Sequence, residues 1–301
     1  MQAKSGTETE PRIYVADWAN HRIVRMNDMR GEGWITYEGN AGRNSGLHFP
    51  VGVCLDSVGR IYVSEQYHHR ILRMDDILGT RLTIFSRAHA ADKPVNKYAG
   101  SWICVDAPGR IYVTYDGEHR IVRMDDMQGS NHVAFGREGS GVGEFRYPAG
   151  IAVDRAGRIY VADFDNFRIV RIDNMEGTNW TSIGAYGSGK GQFINPCGIA
   201  LDEQERIYVA DQANDRIVRM DDMRGTNWTA IGSFGTGPEQ EKLYAPTGIC
   251  VNGSGRIYVT QSSSNHRIVR MDDMSGTNWI VFGSGGSGFG QFASPMGIAV
   301  Q

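Results

Sequence analysis

The chain has 301 residues, 41% of them hydrophobic and 22% charged, with a formal net charge of −3. That composition is globular, and a pI near 6.2 excludes the basic field a phosphate-binding surface needs. No apolar run approaches the ~18 residues of a membrane helix, so neither nucleic acid nor membrane is an expected partner. Residues 1–10 are polar and read as a disordered lead-in without the apolar core of a secretory signal. The chain is therefore expected to be cytoplasmic as given, although a removed signal peptide would leave no trace.

From residue 11 onward one sentence is repeated. Arg-Ile-Tyr-Val begins at Arg12, Arg60, Arg110, Arg158, Arg206 and Arg256, at spacings of 48, 50, 48, 48 and 50. A fixed period of this size marks a repeat architecture. Each repeat holds four short runs rich in β-branched and aromatic residues, bounded by Gly, Asn and Asp, which predict four strands. In the fifth copy they are Gly198-Ile-Ala-Leu-Asp202 (strand a), Arg206-Ile-Tyr-Val-Ala210 (b), Arg216-Ile-Val-Arg-Met220 (c) and Trp228-Thr-Ala-Ile-Gly232 (d). The Asp pairs at 75–76, 125–126, 221–222 and 272–273 fall between c and d, where Asp side chains hold turn backbone. Four cysteines make no disulfide framework, because Cys54, Cys104 and Cys250 share one repeat position with Ala152, Ala200 and Ala299 and pack as small hydrophobes.

Four strands per repeat is the arithmetic of a propeller blade. The first copy starts at strand b, and Pro295-Met-Gly-Ile-Ala-Val300 is a strand a with no b after it. Pairing of 296–300 with 12–16 should close a ring of six blades and seal its edge. These repeats resemble the NHL family, whose Asn-His-Leu run appears here as Asn20-His21-Arg22 and Asn265-His266-Arg267. The resemblance implies an all-β, six-bladed β-propeller of NHL type, a single domain over 11–301 in which the C-terminal strand completes blade 1. It does not imply one activity, since a scaffold of this kind hosts many.

In a propeller the b–c and d–a loops gather on one face around the central channel. An asymmetric ligand needs positions where the blades differ. The residue ending strand b reads Asp17, Glu65, Tyr115, Asp163, Asp211 and Gln261, and the Asp copies can also cap the following loop. The next position reads Trp18, Gln66, Asp116, Phe164, Gln212 and Ser262, variable as a contact surface would be. Cys197 is the one thiol expected at the channel mouth. Blades 2 and 3 depart furthest: Trp102 replaces the Gly of strand a, and His48, Tyr67, His68, His89 and Tyr98 interrupt the loop pattern. Trp102, Tyr67, Tyr98 and Tyr115 offer broad rings with polar tips, suited to gripping a ligand. Gly184-Ala-Tyr-Gly-Ser-Gly189-Lys190 matches seven places of a phosphate-binding loop, but Gly191 stands where Ser or Thr belongs, so it reads as a turn.

The expected ligand site thus comprises Asp17, Trp18, His48, Glu65, Tyr67, His68, Tyr98, Trp102, Tyr115, Asp163, Cys197, Asp211 and Gln261. If His48, His68 and Glu65 converge, they offer a Zn-type donor set with an open position. The resemblance extends to NHL-like lyases that hold a channel zinc and to gluconolactonase-like propellers that hold calcium. A divalent metal (Zn or Ca) in the channel is therefore a candidate cofactor, although no residue matches either set one to one. For calcium, the oxygens of Asp17, Asp163 and Asp211 would dominate. No nucleophile–base–orienter set can be named. The leading expectation is a monomeric binding module whose loop-rich face holds a small molecule, peptide or protein loop. The alternative is a channel-mouth enzyme of lyase, hydrolase or cyclase type with its site toward blades 1–3.

Overall fold

A computed structural model describes residues 11–39, 46–86, 101–235 and 242–301. Its strands form six four-stranded antiparallel sheets, with two short two-stranded pairs in the d–a loops. Blade 4 shows the pattern: a is Pro148–Val153, b Ile159–Asp163, c Arg168–Ile172 and d Thr181–Ile183. Strand b is buried along its whole length and d is the half-exposed outer edge. The predicted closure is present. Pro295–Val300 pairs antiparallel with Ile13–Asp17, with Ile13 opposite Val300 and Val15 opposite Ile298.

The apolar core is divided among the gaps between blades. One cluster joins Tyr160, Ala162 and Ile169 of blade 4 to Ile199, Val209 and Val218 of blade 5, and five similar clusters complete the circuit. Each cluster needs side chains from two blades, so no blade can bury its faces alone. On the lower face the a–b turns are tied by a repeated triad. Asp154 accepts hydrogen bonds from Arg158 Nε at 2.5 Å and from the Tyr160 hydroxyl at 3.1 Å. The Asp pairs act as expected: Asp126 Oδ1 accepts the amides of Gln128 and Ser130 and holds its hairpin.

Around the axis the six a strands lie side by side, and glycine decides how closely. A Cβ on Gly198 would stand 2.4 Å from the Thr247 carbonyl oxygen of the next blade, and one on Gly248 2.2 Å from that of Met296. Backbone cannot yield there, so Gly is required by close approach. Blade 3 has Trp102 at this position, and its strand a shrinks to Ile103–Val105. Hydroxyls fasten some neighbours together: Thr260 Oγ1 accepts the Gly248 amide at 2.7 Å and donates to the Met296 carbonyl at 2.5 Å. Ser64 makes the same clip between blades 2 and 3.

Candidate functional site

The b–c and d–a loops meet on the upper face, and the residue ending strand b organises them. Asp163 is fully buried. Its Oδ1 accepts the Arg146 amide at 2.7 Å, and its Oδ2 accepts Asn166 Nδ2 and Arg168 Nε, both at 2.8 Å. The Arg168 guanidinium then donates to the carbonyls of Ser140, Gly141 and Glu144, gathering the Gly-rich loop around one planar fork. Asp211 does the same with the Ile194 amide, Asn214 and Arg216, and Asp17 with the Ala293 amide, Asn20 and Arg22. Burial lifts all three carboxyls above the ordinary aspartate value, against the pull of their donors. These carboxylates are latches whose oxygens are already engaged.

Blade 6 carries the same latch with a neutral group. Gln261 Oε1 accepts the Tyr244 amide at 3.1 Å and Asn265 Nδ2, while its buried Nε2 has no hydrogen-bond partner. Its siblings present a second carboxylate oxygen to the arginine of strand c, and an amide cannot serve all these donors at once. Gln261→Glu, nearly isosteric, is expected to stabilise the protein by ~1–2 kcal/mol through a charge-assisted bond. A thermal melt unchanged or lowered by that substitution would refute the latch.

His48, Glu65 and His68 do come together. His68 Nδ1 lies 2.5 Å from Glu65 Oε1, which also accepts the His48 amide at 2.9 Å, and the two imidazole rings are 5.1 Å apart. Glu65 Oε2 accepts Arg70 Nε. Both carboxylate oxygens are thus consumed, one of them by a guanidinium that would repel a cation. Among the described residues no group of three or more His, Cys, Asp or Glu is arranged to hold a metal ion. The zinc donor set does not fit, and neither does a calcium set built from Asp17, Asp163 and Asp211, each tied to the arginine of its own blade.

The other expected site residues divide into core and surface. Tyr115 is 8% exposed and packs among Tyr62, Ile71 and Val113 between blades 2 and 3. Trp102 packs with Phe145 and Ile151 between blades 3 and 4. Tyr115 is thus drawn into the blade interface, whereas Trp102 is only partly buried there. Cys197 is buried and its thiol is pushed up to about 12, mainly by desolvation, which leaves it an unreactive thiol. Tyr98 and His89 lie outside the described residues. At the mouth Trp18 donates to Gln66 Oε1 at 2.8 Å and packs at a tilt against Phe49, with centroids 4.6 Å apart. Tyr67 is 64% exposed, with its ring edge-on to His68 at 5.0 Å.

Sequence reasoning missed three exposed rings, Tyr186, Phe234 and Phe289, the last lying against Trp34, and one repeated role. Tyr186, 67% exposed, stands edge-on against Phe167 at 5.1 Å, and Phe234, 66% exposed, against Tyr244 at 5.4 Å. Their signal was a large apolar residue inside a Gly-Ser loop. The repeated role belongs to the NHL histidine, whose Nδ1 accepts a backbone amide of the next blade. His21 accepts from Phe49 at 3.2 Å, His119 from Tyr147 at 3.1 Å and His266 from Ser294 at 3.0 Å.

Six radial sheets, a strand that closes the ring and a latch repeated in every blade but the third define a six-bladed β-propeller. Its blades contain NHL repeats: the NHL repeat model matches residues 47–74, 145–172 and 243–271. Among curated proteins none matches the sequence. Solved structures share the fold. A nidogen/laminin complex aligns at 17% identity and a TM-score of 0.67, covering 96% of this chain and 98% of that one. A Bacteroides caccae protein of unknown function aligns at 15% identity and a TM-score of 0.65, covering 97% and 98%. A catalytically inactive virginiamycin B lyase from Staphylococcus aureus with quinupristin aligns at 17% identity and a TM-score of 0.54, covering 80% and 75%. At these identities the likeness shows the fold alone. Among the described residues no helix is long and apolar enough to cross a membrane.

Proposed function

We propose that this propeller is a binding module that holds a peptide segment or protein loop on its upper face. The observation that carries the reading is the division of labour on that face. The latch carboxylates are spent on the protein's own donors, while Tyr67, Tyr186 and Phe234 stay about two-thirds exposed on three separate loops. Each stands edge-on to a ring that restricts it, so little side-chain entropy is lost on contact. Exposed apolar surface with a polar surround marks interaction sites, and amphipathic rings suit a peptide better than a small polar substrate. The proposed surface extends from blade 2 to blades 4–6, beyond the sector expected from sequence. The crystal structure of a nidogen/laminin complex, a protein–protein assembly on the same fold, accords with this reading. A channel-mouth enzyme would need a nucleophile or base, whereas Cys197 is held as a thiol and Glu65 is held by Arg70.

Selection of peptides from a random display library tests the proposal. Peptides enriched on the intact protein are expected to bind a Tyr67→Ala/Tyr186→Ala/Phe234→Ala variant at least ~10-fold more weakly, the loss of one or two anchor side chains. Neutralising Asp125 and Asp126 on the opposite face should leave affinity within ~2-fold. Equal binding by the triple variant would move the interface away from these rings.

A further inference from the structure

We infer that His21, His119 and His266 are pH-sensitive locks between blades, and that protonating them loosens the upper face at the three junctions they hold among the described residues. The lock has the same geometry each time. His21, His119 and His266 occupy the left-handed region, at φ of 55°, 54° and 44°, at the turn before strand c. Each turns Nδ1 onto an amide 28 residues ahead, at Phe49, Tyr147 and Ser294, where the next blade's strand a begins. Those acceptor sites join blade 1 to 2, blade 3 to 4, and blade 6 back to 1.

The amides being held are unusual. Phe49, Tyr147 and Ser294 have φ of 56°, 52° and 52°, and each directly precedes a proline. A residue with a side chain is strained in that region, and a following proline restricts it further. Such a conformation persists only where its surroundings enforce it. A backbone N–H can only donate, so Nδ1 must carry the lone pair and Nε2 the proton. Protonation puts N–H against N–H, converting the bond that holds the strained residue into a repulsion.

Blade 5 supplies an internal control. Asp215 sits at the equivalent position with φ 54° and ψ 38°, against 55° and 38° for His21. Its Oδ1 accepts the amide of Ala245, itself at φ 44° before a proline, at 2.8 Å. Burial raises the Asp215 carboxyl above the ordinary aspartate value, against the pull of the Ala245 amide. A carboxyl oxygen accepts that amide in either protonation state, so the same lock can be built without a ring that turns donor. The 4–5 junction has Phe167 at this place, and Asn195 Nδ2 donates to Asp165 Oδ1 instead.

The groups facing each lock set the direction of the effect. Around His21 stand the His48 ring, 5.4 Å away, and the Glu65 carboxylate; burial first, then the His48 charge, lowers its pKa, while Glu65 raises it. His119 Nε2 faces Glu138 Oε2 at 4.0 Å, a carboxylate 67% exposed and so largely screened, and the Tyr147 ring. His266 lies against Gly285 and the Ser294 amide. A histidine pKa lower in the folded than in the unfolded chain means that the unfolded state binds more protons. Stability from His21 is therefore complete above ~6.5 and is lost as pH falls through its folded value. Asp17, Asp163 and Asp211, with raised carboxyls, act in the opposite sense at lower pH, so the measurement must cancel them.

A His21→Asp/His119→Asp/His266→Asp variant does so, copying the blade 5 solution while keeping every other titrating group. The intact protein should lose several degrees of Tm between pH 7.5 and 5.5, and the variant should lose clearly less. Identical pH dependence in the two proteins would overturn the inference. Should the triple variant fold poorly, long-range 15N–1H spectra of the intact protein decide the matter. Neutral Nδ1 acceptors at these three histidines are expected at pH 7.5, with the Phe49, Tyr147 and Ser294 amides shifting as the rings titrate. An Nδ1–H tautomer, or amides indifferent to the titration, would refute it.

Discussion

Deleting Pro295–Gln301 is expected to abolish the cooperative melt of this protein and drive it into aggregates. Those residues are strand a of blade 1, with Ile298 and Ala299 buried against strand b. Their loss exposes the row of backbone groups on Ile13–Asp17 to solvent and to other chains. It also removes the Gly297 contact that lets blade 1 approach the Val51 carbonyl of blade 2. A few ladder hydrogen bonds at ~1 kcal/mol each, plus one buried isoleucine at ~2, give on the order of 5 kcal/mol. That is comparable with the whole margin of a typical domain. Soluble yield and calorimetry of the truncated chain check it, and a melt like that of the intact protein would sink the closure.

The second large effect is expected from Asp163→Ala. Arg168 has a side chain only 13% exposed and is paired with a fully buried carboxylate. Removing the carboxylate leaves its charge and the Arg146 amide without that acceptor, a change that typically costs ~3–5 kcal/mol. Denaturant unfolding should show this loss for Asp163→Ala and Asp211→Ala alike. The Gly-rich loop of 136–147 should also gain proteolytic sensitivity in the first variant, because Arg168 is what gathers its carbonyls. The loop of 184–195 should stay protected there, since it hangs on Arg216. Loss of protection in both loops, or in neither, would show that the latch does not act blade by blade.

The latch also shows where reading from sequence succeeds and where it stops. Asp163, Asn166 and Arg168 were visible as a repeated spacing, and so was the choice between capping and ligand binding for the aspartate. Spacing could not show that the carboxylate reaches back to an amide 17 residues upstream, at Arg146, because that contact passes through the loop joining two blades. The same holds for His21 and Phe49, 28 residues apart and in different blades. Trp102 and Tyr115 broke the repeat and so drew attention as ligand residues, yet Tyr115 is buried between blades and Trp102 packs, partly buried, against the next gap. Deviation from a repeat reports a local change in packing as readily as a site.

What the sequence determined alone is the architecture. A period of 48 to 50 with four strand-like runs in each repeat specifies the blade, and one missing plus one surplus strand specifies the closure. Those signals are local or strictly repetitive, so they survive without knowledge of neighbours. Only the tertiary structure decided which polar groups are free to act. Burial and hydrogen bonding between blades commit Asp17, Glu65, Asp163 and Asp211 to the scaffold and leave Tyr67, Tyr186 and Phe234 facing solvent. A side chain's chemistry is set by what it touches across a blade junction, and those partners lie tens to hundreds of residues away along the chain.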